Sequence, residues 1–299
     1  MMTLSWQKLK KPLLKRLIAL ILLVLVSLYF FILKEVHYTI HAPQFSQSAN
    51  QQKQAFKIAL LTDLHGCYYG ENQHTIVDKL KANHPDVILL GGDIYDDDVA
   101  FTHTDILLSQ LSAIAPTYYV DGNHEWWLPS GQRLDTLKRI SSYGITPIMG
   151  KQVPIANTNI VLFGLSDPDS GTFDSELKLL GSQAKAESVN VLLSHRPERI
   201  DEYKQYPFDL VLSGHAHGGQ WRIPYLMNGL IAPNQGLFPK YAGGEYAFEG
   251  IFNNTNANGT NAKQAKTTHL IVSRGLARES TKVPRFFNHP ELVFIDVSK

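Results

Sequence analysis

The sequence predicts an α/β domain with buried sheets, set behind one apolar N-terminal helix. Three observations carry this. From Phe56 onward, short apolar runs alternate with stretches of helical period, the pattern of strands laid between covering helices. Leu17 to Leu33 is an unbroken stretch without a charge. Apolar residues make up 44% of the 299, enough for a sizeable core in one large domain or two modest ones. The single cysteine, Cys67, excludes an internal disulfide framework and a zinc site built on paired cysteines.

Residues 1–16 hold Lys8, Lys10, Lys11, Lys15 and Arg16 and no acidic side chain. Residues 17–33, LIALILLVLVSLYFFIL, are the predicted membrane helix. At 1.5 Å per residue it reaches roughly 25 Å, close to a hydrocarbon core of about 30 Å. Lys15 and Arg16 can stretch toward the headgroups, and Tyr29, Phe30 and Phe31 stand where interfacial aromatics are found. No small-residue cleavage site directly follows Leu33, which favours an uncleaved signal anchor over a signal peptide. The basic excess ahead of the helix places the N-terminus in the cytoplasm and the body outside the inner membrane. Without the five basic residues, the body carries 23 basic against 27 acidic residues, a net of −4, which argues against a nucleic-acid binder.

Residues 34–55 are expected to be a polar linker and 56–299 the folded domain. Within it, strands are expected over 56–62, 86–92, 117–122, 159–165, 189–195 and 208–214, then 245–252, 268–273 and 291–297. Helices are expected near 73–83, 104–114, 131–142, 173–185 and 197–204. Residues 253–266, NNTNANGTNAKQAK, are low in complexity and read as an exposed loop.

The residues that follow the apolar runs point to chemistry. The first run leads to Asp63 and His65, and the second to Gly92, Asp93 and Asp96. The third leads to Gly122, Asn123, His124 and Glu125, the fifth to His195, and the sixth to Gly214, His215 and His217. Ligand-binding loops gather at the carboxyl ends of strands in α/β sheets, so five such loops can converge on one site. Carboxylate, imidazole and amide ligands without a thiolate suit Mn, Fe or Zn, and the sequence does not choose among them. Glycine before Asp93, Asn123 and His215 lets the backbone turn sharply. Each fragment alone arises by chance. Five in order, at intervals of 30, 30, 72 and 20 residues, describe a shared metal site.

With D-x-H, G-D-x-x-D, G-N-H-[DE], an isolated His and G-H-x-H all present, the chain resembles the calcineurin-like metallophosphoesterases over about residues 56–297. HAHGGQWRIP (215–224), VSRGL (272–276) and RFFNHPEL (285–292) resemble its membrane-anchored bacterial branch, that of the YkuE and YaeI-type phosphodiesterases, with the UDP-2,3-diacylglucosamine pyrophosphatases nearby. The resemblance implies a four-layer α/β/β/α sandwich and two divalent or trivalent metal ions. One ion would take Asp63, His65, Asp93 and His217; the other would take Asp93, Asn123, His195 and His215, with Asp93 bridging. Such a pair lowers the pKa of a bridging water and clamps phosphoryl oxygens, so that hydroxide attacks phosphorus in line with the leaving oxygen. The family pattern leaves His124 unligated, to protonate the leaving oxygen or stabilise charge in the transition state. Asp96 and Glu125 are then residues that orient the ligands or His124.

Arg196, Arg274 and Trp126 are candidates for contact with the phosphoester substrate. The Pro- and Gly-rich segment 222–246 carries Leu226, Met227, Leu230, Ile231, Leu237 and Phe238 and begins five residues after His217. It is expected to border the site and face a bilayer or a lipid tail. The expected protein is a membrane-anchored dinuclear phosphodiesterase acting on a phospholipid or a lipid-linked pyrophosphate. The alternatives are a phosphomonoesterase or protein phosphatase, and a non-catalytic binding module, against which the complete ligand set argues. No oligomeric state follows from the sequence.

Overall fold

The computed structural model describes residues 14–18, 21, 31–47, 55–223, 225–255, 261–278 and 283–299. Two six-stranded sheets form the body. The first runs in the order β1 (Lys34–His41), β14 (Glu291–Ser298), β2 (Ala55–Leu61), β3 (Val87–Gly91), β4 (Thr117–Val120), β5 (Thr146–Pro147). The second runs β12 (Gly244–Thr255), β13 (Asn261–Val272), β9 (Leu210–Ser213), β8 (Val189–Leu193), β7 (Ile160–Gly164), β6 (Lys151–Pro154). A further two-stranded ribbon pairs β10 (Ile231–Ala232) with β11 (Gly236–Leu237).

The pleat sorts each apolar run onto two faces. In β2, Ile58 and Leu60 face a core shared with the second sheet, while Ala59 and Leu61 face the other way. Val87 and Leu89 alternate with Ile88 and Leu90 in the same manner. In the second sheet, Val191, Leu193, Leu210 and Leu212 face the shared core, and Leu192 and Val211 face outward. Continuous apolar runs are what strands covered on both faces require.

The outer faces are covered by helices. Against the first sheet lie α1 (His74–Asn83), α2 (Thr102–Leu111) and α4 (Ser130–Ser142), which bury Ile76, Leu80, Leu107, Leu108 and Ile140. Against the second lie α5 (Phe173–Gln183) and α6 (Ile200–Tyr203), which bury Phe173, Leu177, Ile200 and Tyr203. The five-residue α3 (Asn123–Trp127) joins β4 to α4. Three apolar clusters thus separate helices, sheet, sheet and helices. β2, β3 and β4 are parallel to one another, as are β7, β8 and β9. Each set therefore presents its carboxyl ends along one edge.

Three expectations are corrected or left aside. Lys34–His41, placed in the linker by its polarity, is an edge strand parallel to β14. Its exposed residues Glu35, His37, Thr39 and His41 alternate with inward-facing ones, which disguises it as polar. Ala42 and Phe45 also enter the inter-sheet core. The expected loop 253–266 is largely strand, since β12 and β13 pair out to Thr255 and Asn261; a backbone ladder needs no apolar pattern. Most of the predicted span 17–33 lies outside the described residues. Among the described residues no helix is long and apolar enough to cross a membrane.

Leu89 is fully buried between the sheets. Leu89→Ala is expected to lower unfolding stability by about 2–5 kcal/mol, read by denaturant unfolding of the purified chain. A loss below that range would contradict a close-packed inter-sheet core.

Candidate active site

The loops that leave β2, β3, β4, β8 and β9 meet at the edge where the two sheets present their carboxyl ends. Five of the residues they carry have left-handed backbone: Asp63 (φ 51°), His65 (48°), Asp93 (52°), His215 (66°) and His217 (47°). Such conformations cost about 1–3 kcal/mol each and persist only where surrounding contacts enforce them. Here His215 N donates to Asp63 Oδ1 at 2.8 Å, His124 N donates to Asp93 Oδ1 at 3.0 Å, and Asp63 N donates to the Gly92 carbonyl at 3.0 Å.

Glu125 is the clamp of the site. Its buried carboxylate accepts from four backbone N–H groups: Gly122 at 2.8 Å, Asp93 at 3.0 Å, Ile94 at 2.8 Å and Tyr95 at 3.0 Å. The β3 and β4 loops are thereby tied together around Asp93. Asp96 orients an imidazole instead, with Oδ2 2.6 Å from His65 Nδ1. The glycines act differently from expectation. Gly92 does turn through a left-handed φ of 87°. Gly122 is extended, and is required because a β-carbon there would lie 2.3 Å from Asp93 Oδ1.

The chemistry of the donor set fits a metal site. Buried atoms without a hydrogen-bond partner include Asp63 Oδ2, His65 Nε2, Asn123 Oδ1 and His217 Nδ1, while Asp93 Oδ2 and His195 Nε2 lie 3.0 Å apart as an ion pair. Unpaired buried polar atoms are costly, and four of them beside that ion pair suit a cation. Asp63, His65, Asp93 and His217 offer ligand atoms within 4.8 Å of one another, as do Asp93, His195 and His215. His215 differs from the rest: its Nε2 lies 2.9 Å from Arg196 Nη1 and 2.8 Å from Asn234 Oδ1.

Charge is shared within the cluster. Burial depresses the His195 imidazolium, but the carboxylates around it, Asp93 at 3.0 Å with Asp63 and Asp167, together push His195 up to about 10. Burial raises Asp93, yet His195 and His65 hold it well below the carboxylate range. Asp63 is raised, by burial first. His215 and His217 are depressed by burial and by neighbouring cationic groups.

Two adjoining clefts open on this cluster. The larger, about 400 Å³, is lined by His65, Asp96, Asp97, His124, Trp127 and His217 among others. The smaller, about 160 Å³, reaches Asp93, Asn123, Arg196 and His215. His124 lines both, with Nδ1 2.6 Å from Asp97 Oδ1, which leaves Nε2 for the cleft. Arg196 is held bidentately by Asp167, at 2.6 and 2.8 Å.

Two candidates fall elsewhere. Trp126 lies beneath the Arg133 guanidinium, 3.9 Å from its ring centre, and Trp127 lines the clefts in its place. Arg274 donates to Glu291 at 2.6 Å and does not line either cleft. The sequence reading passed over Asp97, Asp167, Asp169 and Asn234. Asp167 and Asp169 follow the fourth apolar run, so the rule that found the other loops also points to them.

Glu125→Ala would strand four backbone donors. It is expected to destabilise the chain by at least about 2 kcal/mol, with Glu125→Gln recovering part of the loss in thermal unfolding. Equal stability of the alanine variant would contradict the clamp.

Residues 56–219, from β2 to the turn after His217, match the calcineurin-like phosphoesterase family profile. The chain is 33% identical over 178 residues to the phosphodiesterase YaeI of Escherichia coli (strain K12), covering 56% of this chain and 63% of that one. It is 28% identical over 254 residues to the metallophosphoesterase YkuE of Bacillus subtilis (strain 168), covering 79% and 77%. It is 29% identical over 175 residues to the metallophosphoesterase Cj0846 of Campylobacter jejuni, covering 56% and 46%. It therefore spans between 46% and 77% of these relatives' lengths. The family profile covers more than half of the chain and takes in every loop of the candidate metal-ligand cluster, and the chain belongs to the calcineurin-like phosphoesterase family.

Proposed function

We propose that the chain is a dinuclear metal-dependent phosphodiesterase held at the membrane by residues 17–33. The cluster of buried ligand-type side chains, with four of its polar atoms lacking a hydrogen-bond partner, supports this reading most directly. Asp63, His65, Asp93 and His217 would hold one ion, and Asp93, Asn123, His195 and His215 the other. Bound there, metal ions supply Lewis acidity for water and for phosphoryl oxygens.

The protein's own groups do the positioning. His124, fixed through Nδ1 by Asp97, presents Nε2 to the leaving oxygen and donates the proton it needs. Arg196, pinned by Asp167, is a pre-oriented cation beside the smaller cleft and stabilises charge that develops on phosphoryl oxygen. Trp127, against the His124 ring at 4.5 Å, walls the leaving-group side.

A phosphodiester is favoured because YaeI, a similar protein, is named a phosphodiesterase. A phospholipid or lipid-linked pyrophosphate is favoured by the apolar N-terminal segment, where Leu17, Ile18 and Ile21 are exposed, and by the apolar loop at the cleft. The basic head favours a catalytic domain outside the cytoplasm. Nucleotide-linked lipid precursors are handled in the cytoplasm, so the side of the membrane also divides the candidate lipids.

Three outcomes are expected. Added Mn²⁺ stimulates hydrolysis of bis(p-nitrophenyl) phosphate more than of p-nitrophenyl phosphate, and Asp93→Ala abolishes both; the reverse preference would favour a phosphomonoesterase. His124→Ala lowers kcat by about 10²–10⁴-fold with metal content by elemental analysis unchanged, whereas lost metal would make His124 a ligand. A C-terminal alkaline phosphatase fusion is active and a fluorescent-protein fusion dark; the opposite pattern overturns the topology.

A further inference from the structure

The larger cleft is also lined by Gln220, Pro233 and Val283. The chain beside Gln220 and Pro233 carries exposed apolar side chains that form an apolar rim. Leu226, Leu237 and Phe238 are 81%, 66% and 68% exposed, and Trp221, Ile223 and Tyr225 stand in the open beside them. Apolar side chains so grouped on one face mark a binding surface. The backbone holds them there: Leu230 N donates to the Gly219 and Trp221 carbonyls at 2.9 and 2.8 Å, and Phe238 N to the Leu230 carbonyl at 2.8 Å.

Two features identify what covers this surface. The first is where the N-terminal segment enters the domain. His289 Nδ1 donates to the Ile32 carbonyl at 3.1 Å, and Lys34 N to the Pro290 carbonyl at 2.9 Å. The strip that receives the segment also receives the apolar rim. Trp221 Nε1 donates to the Pro284 carbonyl at 3.0 Å, and Arg222 N to the Phe286 carbonyl at 2.9 Å. Phe286 and His289 are three residues apart, at most about 11 Å of backbone. Between them Asn288 donates to the carbonyls of His217 and Gln220, at 2.7 and 3.1 Å. Segment exit, apolar rim and metal-ligand turn are thus tied through one strip, 284–290.

The second is charge. Residues 220–240 include Arg222 and Lys240 and no acidic side chain. A surface that mixes Trp, Tyr and aliphatic side chains with basic ones suits a bilayer interface with anionic headgroups.

We propose that this apolar rim seats on the lipid bilayer as a second membrane contact, so that the cleft opens at headgroup level. The proposal rests on the anchor reading given above and deepens it. A lipid phosphodiester then reaches the metal-ligand cluster without leaving the membrane, while its tails stay against Leu226, Leu237 and Phe238.

The test uses the full chain in vesicles of phosphatidylethanolamine and phosphatidylglycerol. Nitroxide labels are placed at Leu226→Cys, Phe238→Cys and, as a control, at exposed Leu134→Cys on α4, which contacts β5 at the far edge of the first sheet. Labels at 226 and 238 are expected to lose collisions with a water-soluble nickel chelate and gain them with oxygen, while the label at 134 stays water-accessible. Flotation after a carbonate wash reads the anchor separately. A chain that floats with labels 226 and 238 still in water overturns the docking surface and leaves the anchor standing. A chain that does not float removes the anchor and the proposal with it. Leu226→Ser with Leu237→Ser is expected to lose hydrolysis of a bilayer-embedded phosphodiester while keeping that of the soluble one. Equal loss of both would count against docking, and an inactive parent would instead tell against the enzyme reading.

Discussion

Asp63 and Asp93 are buried carboxylates set among imidazoles. That placement is the constraint around which the rest of the structure is arranged. A buried carboxylate is tolerated when paired, hydrogen-bonded or bound to a cation. The protein supplies only part of that compensation. Asp93 Oδ1 is held by the His124 amide and Asp63 Oδ1 by the His215 amide; Asp93 Oδ2 meets only the His195 imidazole, at 3.0 Å, and Asp63 Oδ2 is without a hydrogen bond. The left-handed conformations of Asp63, His65, Asp93, His215 and His217 add strain at the same place. Both costs fall where a cation would recover them.

The two-sheet architecture makes the arrangement possible. Asp63 and His215 are 152 residues apart in sequence, yet each follows a parallel strand whose carboxyl end lies on the shared edge. The inter-sheet core of Ile58, Leu60, Leu89, Val191, Leu193 and Leu212 fixes the spacing between those edges. Glu125 then locks the β3 and β4 loops to one another. It binds no substrate in this account; it holds the backbone that presents Asp93. The shape of the cleft is therefore a consequence of sheet packing and one clamp, and not of the loops alone.

Much of this was legible in the chain. Apolar runs reported the buried strands because both faces of each central sheet are covered. The motif residues were legible because each follows directly on a run. What escaped did so for physical reasons. β1 alternates exposed polar with inward-facing residues, as an edge strand can, and so resembled a linker. Trp126 and Trp127 are adjacent in sequence, but one step of a helix rotates the side chain by about 100°, and only Trp127 meets the cleft. Arg274 found its partner in Glu291, seventeen residues on, a pairing no local pattern reveals. Asp97 was passed over because Asp96, Asp97 and Asp98 are alike until the fold aims each one. Asp167 and Asp169 were missed through leaving out one run, although the rule applied there too.

We propose above all that the buried cluster at the meeting of the two sheets holds a pair of metal ions bridged by Asp93. Anomalous diffraction from crystals of the full chain grown with Mn²⁺ tests it most directly. Two anomalous peaks, both within coordination distance of Asp93, are the predicted result. A single peak, or peaks only at sites away from Asp63 and Asp93, would contradict it.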